Sequence, residues 1–267
     1  MGANIKSLRV RIKSVDSTLH LTRAMGLVAS SKIRRATEGM NRTREYEKAA
    51  RRVVATLAAS PDCNKSPYMQ VREGSRTRLV VIAGDRGLAG GYNANIFRLM
   101  RDYTDAAVYP IGKRACDRFG RGSSSAEHFS AGEALSLARE LCADFVADEY
   151  DRLGIVYTKY ESMMTQTASV MWVLPLSPEG EGMKGSMIFE PDEQTVLNAA
   201  VPEYLSGVLV AAVRESFASE VAARRNAMDS AGKNAEEMIS SLQLSYNRAR
   251  QGAITQEITE IVAGSGQ

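Results

Sequence analysis

A long antiparallel coiled coil of N- and C-terminal helices, carrying a central α/β domain, is the fold class that this sequence predicts. Three observations predict it. All seven prolines lie between residues 61 and 202, and because proline inside a helix removes a donor and clashes with the preceding turn, both flanks are permitted to be long helices. Apolar and small residues step through each flank by threes and fours, the signature of a coiled-coil seam. Between the flanks, short β-branched runs alternate with helical stretches, which is the pattern of a mostly parallel sheet.

The first segment, residues 1–60, places Ile5, Leu8, Ile12, Val15, Leu19, Thr22, Gly26, Ala29, Ile33, Ala36, Met40 and Thr43 on one seam, resumed by Ala50, Val54 and Leu57. A helix of roughly 55 to 60 residues is on the order of 85 Å long, so it needs a partner along its length. The middle segment, 61–202, reads as strands at 78–83, 106–111, 154–158 and 168–174, with helices at Asn93–Tyr103, Lys113–Phe119 and Ala131–Asp148 between them. That alternation makes the domain Rossmann-like, with loops at 60–74 and 177–184. The last segment, 203–267, repeats the seam through Met228, Gly232, Ala235, Ile239, Leu242, Tyr246, Ala249 and Ala253. Its small members let two backbones approach closely. An intramolecular antiparallel pairing is the economical one, and a parallel dimer through either helix is the alternative.

Composition narrows the function. The 267 residues are 44% apolar and carry a net charge of only +3, but residues 1–60 hold 13 basic against 4 acidic side chains. A basic helix of this kind meets nucleic acid, an acidic membrane surface or acidic protein loops. The segment has few aromatics for base stacking, so acidic protein loops fit better than nucleic acid. Cys63, Cys116 and Cys142 are widely spaced, with no C-x-x-C, which predicts neither a disulfide framework nor a zinc knuckle. No run of about 18 apolar residues predicts a membrane span, and no signal-peptide pattern is evident.

The one tempting motif is GDRGLAGGYN, residues 84–93, which follows a strand and opens a helix where phosphate loops sit. It completes neither fingerprint. A P-loop needs Lys and then Ser or Thr after its last glycine, and the dinucleotide spacing G-x-G-x-x-G is absent. The expectation is a tight turn with Asn93 or Asp85 capping. His20 and His128 belong to no zinc motif, and no G-x-S-x-G is present. Hence no catalytic residue, metal site or cofactor is predicted.

The chain closes on ITQEITEIVAGSGQ, where Ile254, Ile258, Ile261 and Val262 keep helical spacing almost to the last residue. At about 100° per residue this stripe is turned by roughly a third of a turn from the coiled-coil seam. It faces a different partner. Polar shoulders in Thr255, Gln256, Glu257, Thr259 and Glu260 complete a tip built like an axle in a sleeve.

With TRAMGLVASSKIRRA (22–36), GDRGLAGGYN (84–93), IGKRACDRF (111–119), IFEP (188–191) and NAEEMISSLQLSYNRARQGAITQEITEIV (234–262), the whole chain resembles the gamma subunit of F-type ATP synthases, bacterial type. The resemblance implies a central rotor stalk that transmits torque between ion flow through a membrane c ring and nucleotide chemistry on a head of alpha and beta subunits. It implies partners in the alpha and beta subunits, the epsilon subunit and the c ring, and a peripheral place on the cytoplasmic face of the membrane. Met25, Arg250, Gln251, Thr255, Glu257, Ile258 and Ile261 would contact the head, and Met187 and Glu190 the foot at the ring and epsilon. Three positions depart from the family pattern: Ala89 where cysteine is frequent, Gly26 where a charge is common, and Met187 where an aromatic is common. The competing readings are a non-rotary adaptor coiled coil with an α/β head and a nucleotide-binding enzyme with a helical arm.

Overall fold

In the computed structural model, which describes residues 2–177 and 188–264, the elements run α1 (Gly2–Ala58), β1 (Thr77–Ile82), α2 (Tyr92–Leu99), β2 (Ala107–Ile111), α3 (Lys113–Phe119), α4 (Ala131–Val146), β3 (Arg152–Tyr160), β4 (Gln166–Leu174) and α5 (Glu193–Gly264). Short 3-10 turns occupy Pro61–Lys65, Pro67–Met69 and Met100–Tyr103. The chain divides into two compact units, one made of 1–29 with 224–267 and the other of 30–223.

In the first unit α1 and α5 run antiparallel. Gly26 lies against Met228, and Gly232 against Thr22 and Leu19; Arg23 reaches Glu236 at 2.5 Å. Moving back along α1 thus means moving forward along α5. Leu19, Thr22 and Ala29 are buried on one helix and Met228, Ala235 and Leu242 on the other, the seven-residue steps of a coiled-coil seam. A Cβ added at either glycine would make ordinary van der Waals contact with these neighbours, so neither position demands glycine for space. The Arg23–Glu236 pair is about half exposed on both sides and adds little beside the apolar seam.

In the second unit the same seam continues through Ala36, Met40, Val54 and Leu57, all buried. A four-stranded sheet of order β2-β1-β3-β4 packs there, parallel except for β4, which returns antiparallel on β3. Alternate residues of β1 face opposite sides. Val80 and Ile82 join Leu137, Leu141 and Phe145 of α4 and Leu197 to Val213 of α5; Leu79 and Val81 join Ile96 and Met100. A capping box between Ser130 and Glu133 fixes the start of α4.

Several expected boundaries move. The helix expected to start after Pro202 starts at Glu193, and Pro202 lies inside it. Asp192 supplies the reason: its carboxylate accepts the Thr195 N–H at 2.8 Å and the Thr195 hydroxyl at 2.7 Å, an N-cap. Leu197, Val201 and Leu205, all fully buried around Pro202, offset the hydrogen bond that proline removes, a loss of about 3 kcal/mol. The helix expected to reach Asp148 stops at Val146, since Asp148 adopts φ 63°. Similarly, α2 gives way to a 3-10 turn after Leu99. Most of the loop expected at 177–184 lies outside the described residues. One stretch of α5 reaches a mean hydropathy of 1.6 over an 18-residue window, apolar enough to cross a membrane, contrary to the expectation of no such run. With 56% of that window buried inside the chain, its apolar character is also that of a core helix.

The turn after β1 is held by one carboxylate. Asp85 Oδ1 accepts the N–H groups of Ala126 at 2.8 Å and Lys113 at 3.2 Å, while Oδ2 accepts the Ser125 hydroxyl at 2.8 Å and the Glu127 N–H at 3.1 Å. Asp85 therefore does not cap α2; it ties the start of α3 to the turn before α4. Burial pushes its pKa up, but the hydrogen bonds from Ala126, Glu127, Ser125 and Lys113 outweigh that and hold it below the ordinary 3.8. Asp85→Asn turns an acceptor into a donor facing donors, and should cost about 2 to 3 kcal/mol at neutral pH. Because the folded pKa is depressed, this advantage of the native residue is complete above the ordinary value of 3.8 and is lost as pH falls through the lower folded value. Denaturant melts of both proteins across that range test it: the gap between them should close in acid.

Candidate interaction surfaces

The end of α5 presents an apolar stripe to solvent. Ile254, Ile258, Ile261 and Val262 are 47%, 56%, 70% and 65% exposed, at the spacing of one helical face. Upstream, the seam residues Leu242, Tyr246, Ala249 and Ala253 are buried or half-buried. The change of face expected at Ile254 is thus visible as a change of exposure. Arg250, Gln251, Thr255 and Glu257 are exposed around the stripe. Thr255 donates to the Gln251 carbonyl at 2.9 Å and Thr259 to the Thr255 carbonyl at 2.8 Å, and Gln256 donates to Glu260 at 2.9 Å. These bonds stay within the helix and leave its apolar side open.

On α1, Met25 is half-buried beside Gly26. Val10, Leu21 and Val28 are exposed at 63%, 59% and 57%, and at about 100° per residue they share one side of the helix, away from the seam. The sequence reading missed this second apolar stripe. Its signal was available: all three fall outside the steps of three and four that define the seam. Exposed apolar residues on one face are candidates for contact with other molecules.

Part of the basic excess of α1 is spent inside the second unit. Lys32 donates to Glu127 at 2.8 Å, Arg44 to Glu215 at 2.7 Å, and Arg51 to Glu47 at 2.7 Å. Arg35 and Arg42 line a groove of about 480 Å³ with Gly39, Arg214 and Phe217. Just before α5, Glu190 is exposed next to Pro191, and Met187 lies outside the described residues.

The glycine-rich turn is not arranged for phosphate. The Gly84 N–H is taken by Asn93 Oδ1 at 2.9 Å, and the Lys113, Ala126 and Glu127 N–H groups go to the Asp85 carboxylate. The turn thus carries an anion of its own, the Asp85 carboxylate, bound to N–H groups beside it. Gly84 serves packing instead, because a Cβ there would meet the Glu220 carboxyl carbon at 2.8 Å. His20 lies 3.7 Å from Asp16 on an exposed face, and no group of metal-ligating side chains occurs among the described residues.

The three cysteines are unpaired, with Cys63 and Cys142 buried. Burial pushes the Cys142 thiol up to about 12, so it is inert as a nucleophile.

Leu242→Asp would place an unpaired charge in the seam and should destabilise the isolated chain by about 3 kcal/mol or more. Replacing Ile258 and Ile261 together by Ser should leave its helicity and melting temperature nearly unchanged, since both side chains are already more than half exposed. Circular-dichroism melting of the free chain separates the two, and a large loss from the tip change would mean that the stripe packs internally.

A family model described as ATP synthase matches residues 4–266. Curated relatives similar to this chain include the ATP synthase gamma chain of Ruminococcus albus, 39% identical with 98% of each chain covered. The sodium ion specific gamma chain of Acetobacterium woodii is 37% identical with 99% of each covered. Among solved structures, a chain of the Euglena gracilis mitochondrial ATP synthase OSCP/F1/c-ring assembly superposes with a TM-score of 0.72 at 19% identity, covering 99% of this chain and 94% of that one.

Proposed function

This chain belongs to the ATP synthase gamma-chain family, and from that membership we propose that it is the central rotor stalk of its complex and carries no catalytic site itself. The observation that supports this most directly is the pair of faces on α5. One is a seam buried against α1, and the other a stripe at Ile254, Ile258 and Ile261 left open to a partner.

In this reading Ile258 and Ile261 seat the tip in the sleeve of the alpha and beta head, with Arg250, Gln251, Thr255 and Glu257 making the polar contacts around it. Met25, and with it the exposed side bearing Leu21 and Val28, meets the lever segments of the same head. Glu190 and Met187 lie at the foot, toward epsilon and the c ring, on the cytoplasmic face of the membrane. Nucleotide chemistry belongs to the partners. Each charge crossing the membrane supplies about 2.3 kcal/mol per 100 mV, so several crossings are gathered before one catalytic event. A helix pair joined along its seam stores and passes on that work. The apolar tip suits a bearing, because burial there is non-directional and does not lock one rotary angle.

The test is purification of the tagged chain from membranes, followed by assay. Alpha and beta subunits should accompany it, and the isolated chain should not hydrolyse ATP. In the reassembled complex the Ile258→Ser, Ile261→Ser double variant should lower ion pumping per ATP hydrolysed while both subunits still co-purify. ATP hydrolysis by the isolated chain, or its recovery from membranes without alpha and beta subunits, would count against the rotor reading.

A further inference from the structure

β3 outruns its parallel neighbour. The last β1 residue paired with it is Val81, opposite Val156, yet β3 continues against β4 as far as Tyr160. On the β1 side the backbone groups of Thr158 and Tyr160 therefore face no strand. Thr158 is only 3% exposed, so water does not supply what the sheet lacks, and unmet backbone groups there would cost free energy.

Two helices supply the bonds instead. Ser216 Oγ of α5 accepts the Thr158 N–H at 3.0 Å, and Ser219 Oγ donates to the Thr158 carbonyl at 3.1 Å. Glu215 Oε1 accepts the Tyr160 N–H at 2.9 Å, and Arg44 Nη2 of α1 donates to the Tyr160 carbonyl at 3.2 Å. The same Arg44 nitrogen donates to Glu215 Oε1 at 2.7 Å, with Nε at 3.4 Å from Oε2. Ser216 and Ser219 are fully buried and Glu215 is 8% exposed. One strand end, both long helices and an ion pair thus share a single polar joint.

The joint differs in kind from the packing around it. Apolar contacts between α5 and the sheet resist separation but set rotation and sliding only weakly, because the hydrophobic effect has no direction. Hydrogen bonds do have direction. Resting on the rotor reading, we propose that Arg44, Glu215, Ser216 and Ser219 form the torsional joint through which the α/β domain grips both long helices, with Glu215 as its positioning residue. Torque entering the domain then reaches α1 and α5 together, and neither helix turns under the sheet.

The test uses the assembled complex in vesicles, measuring ion uptake per ATP hydrolysed, beside the melting temperature of each free chain. Glu215→Gln keeps an acceptor for Tyr160 but removes the charge that holds Arg44, and Ser219→Ala is the milder change should the first not assemble. Leu205→Ala, which opens a cavity on the same helix away from the joint, is the control for stability. Both joint variants should lower uptake per ATP at least about twofold, with Glu215→Asp failing to restore it because the shorter side chain does not span to Tyr160 and Arg44 at once. Leu205→Ala should lower the melting temperature as far or further and keep the native ratio. A native ratio in both joint variants, or a ratio that simply follows melting temperature across all of them, overturns the joint. Absence of ATP-driven uptake with the unaltered chain overturns the rotor reading itself, and is distinguishable because it needs no variant.

Discussion

The rest of the structure depends on the apolar seam between the two terminal helices. A helix of 57 residues and one of 72 are much longer than isolated helices that persist in water on propensity alone, and most helical stability comes from burying one face. The seam provides that face at every third or fourth residue. Small residues lie along it as well, Gly26 against Met228 and Gly232 against Thr22 and Leu19.

Where apolar burial ends, polar satisfaction takes over. The loop after β1 has the glycines and the position of a phosphate cradle. Its Gly84 N–H is nevertheless taken by Asn93, and its own Asp85 carboxylate accepts the nearby N–H groups of Lys113, Ala126 and Glu127. A carboxylate fixed in that place repels a phosphate and holds the turn before α4 against α3. The same logic appears at the end of β3, where serine, glutamate and arginine from helices complete a strand edge that no neighbouring strand reaches. In both places side chains take up backbone groups that regular structure leaves unpaired.

Sequence alone reveals what is periodic. The seam was legible because its residues recur by threes and fours, and nearly every one is buried or half-buried while its neighbours are exposed. The strands and α3 were legible from β-branched runs and from glycines at their ends. The start of α5 was misread for a physical reason: Pro202 looked like a boundary, while the stronger local signal, an aspartate cap at Asp192 followed by Glu193, lay ten residues earlier. Tertiary burial of Leu197, Val201 and Leu205 overrode the proline. The joint of Arg44, Glu215 and Tyr160 was not legible at all. Its members are more than a hundred residues apart in two of three pairings, and each alone reads as an ordinary polar residue. The site residues divide the same way. The tip stripe was visible as a period, and the second stripe at Val10, Leu21 and Val28 escaped because the seam pattern drew attention to the opposite side of α1.

Directional and non-directional contacts have different uses in a molecule that transmits rotation. A bearing works when its surface is apolar and its contacts are interchangeable, since any angle then buries about the same area; Ile254, Ile258 and Ile261 offer such a surface. A coupling works when only one angle satisfies its partners, since turning then breaks bonds whose donors and acceptors are buried. Around Glu215 a carboxylate, a guanidinium and two hydroxyls meet two backbone residues, with Thr158, Ser216 and Ser219 buried and only the Arg44 side chain and Tyr160 partly open to water. There an unmet group is more costly than at the surface, because no solvent replaces the lost bond. On the proposed reading, interchangeable contacts lie at the tip, where slip is tolerated, and non-interchangeable ones where the sheet meets the helices. In such an element the work is carried by which contacts resist turning and which allow it.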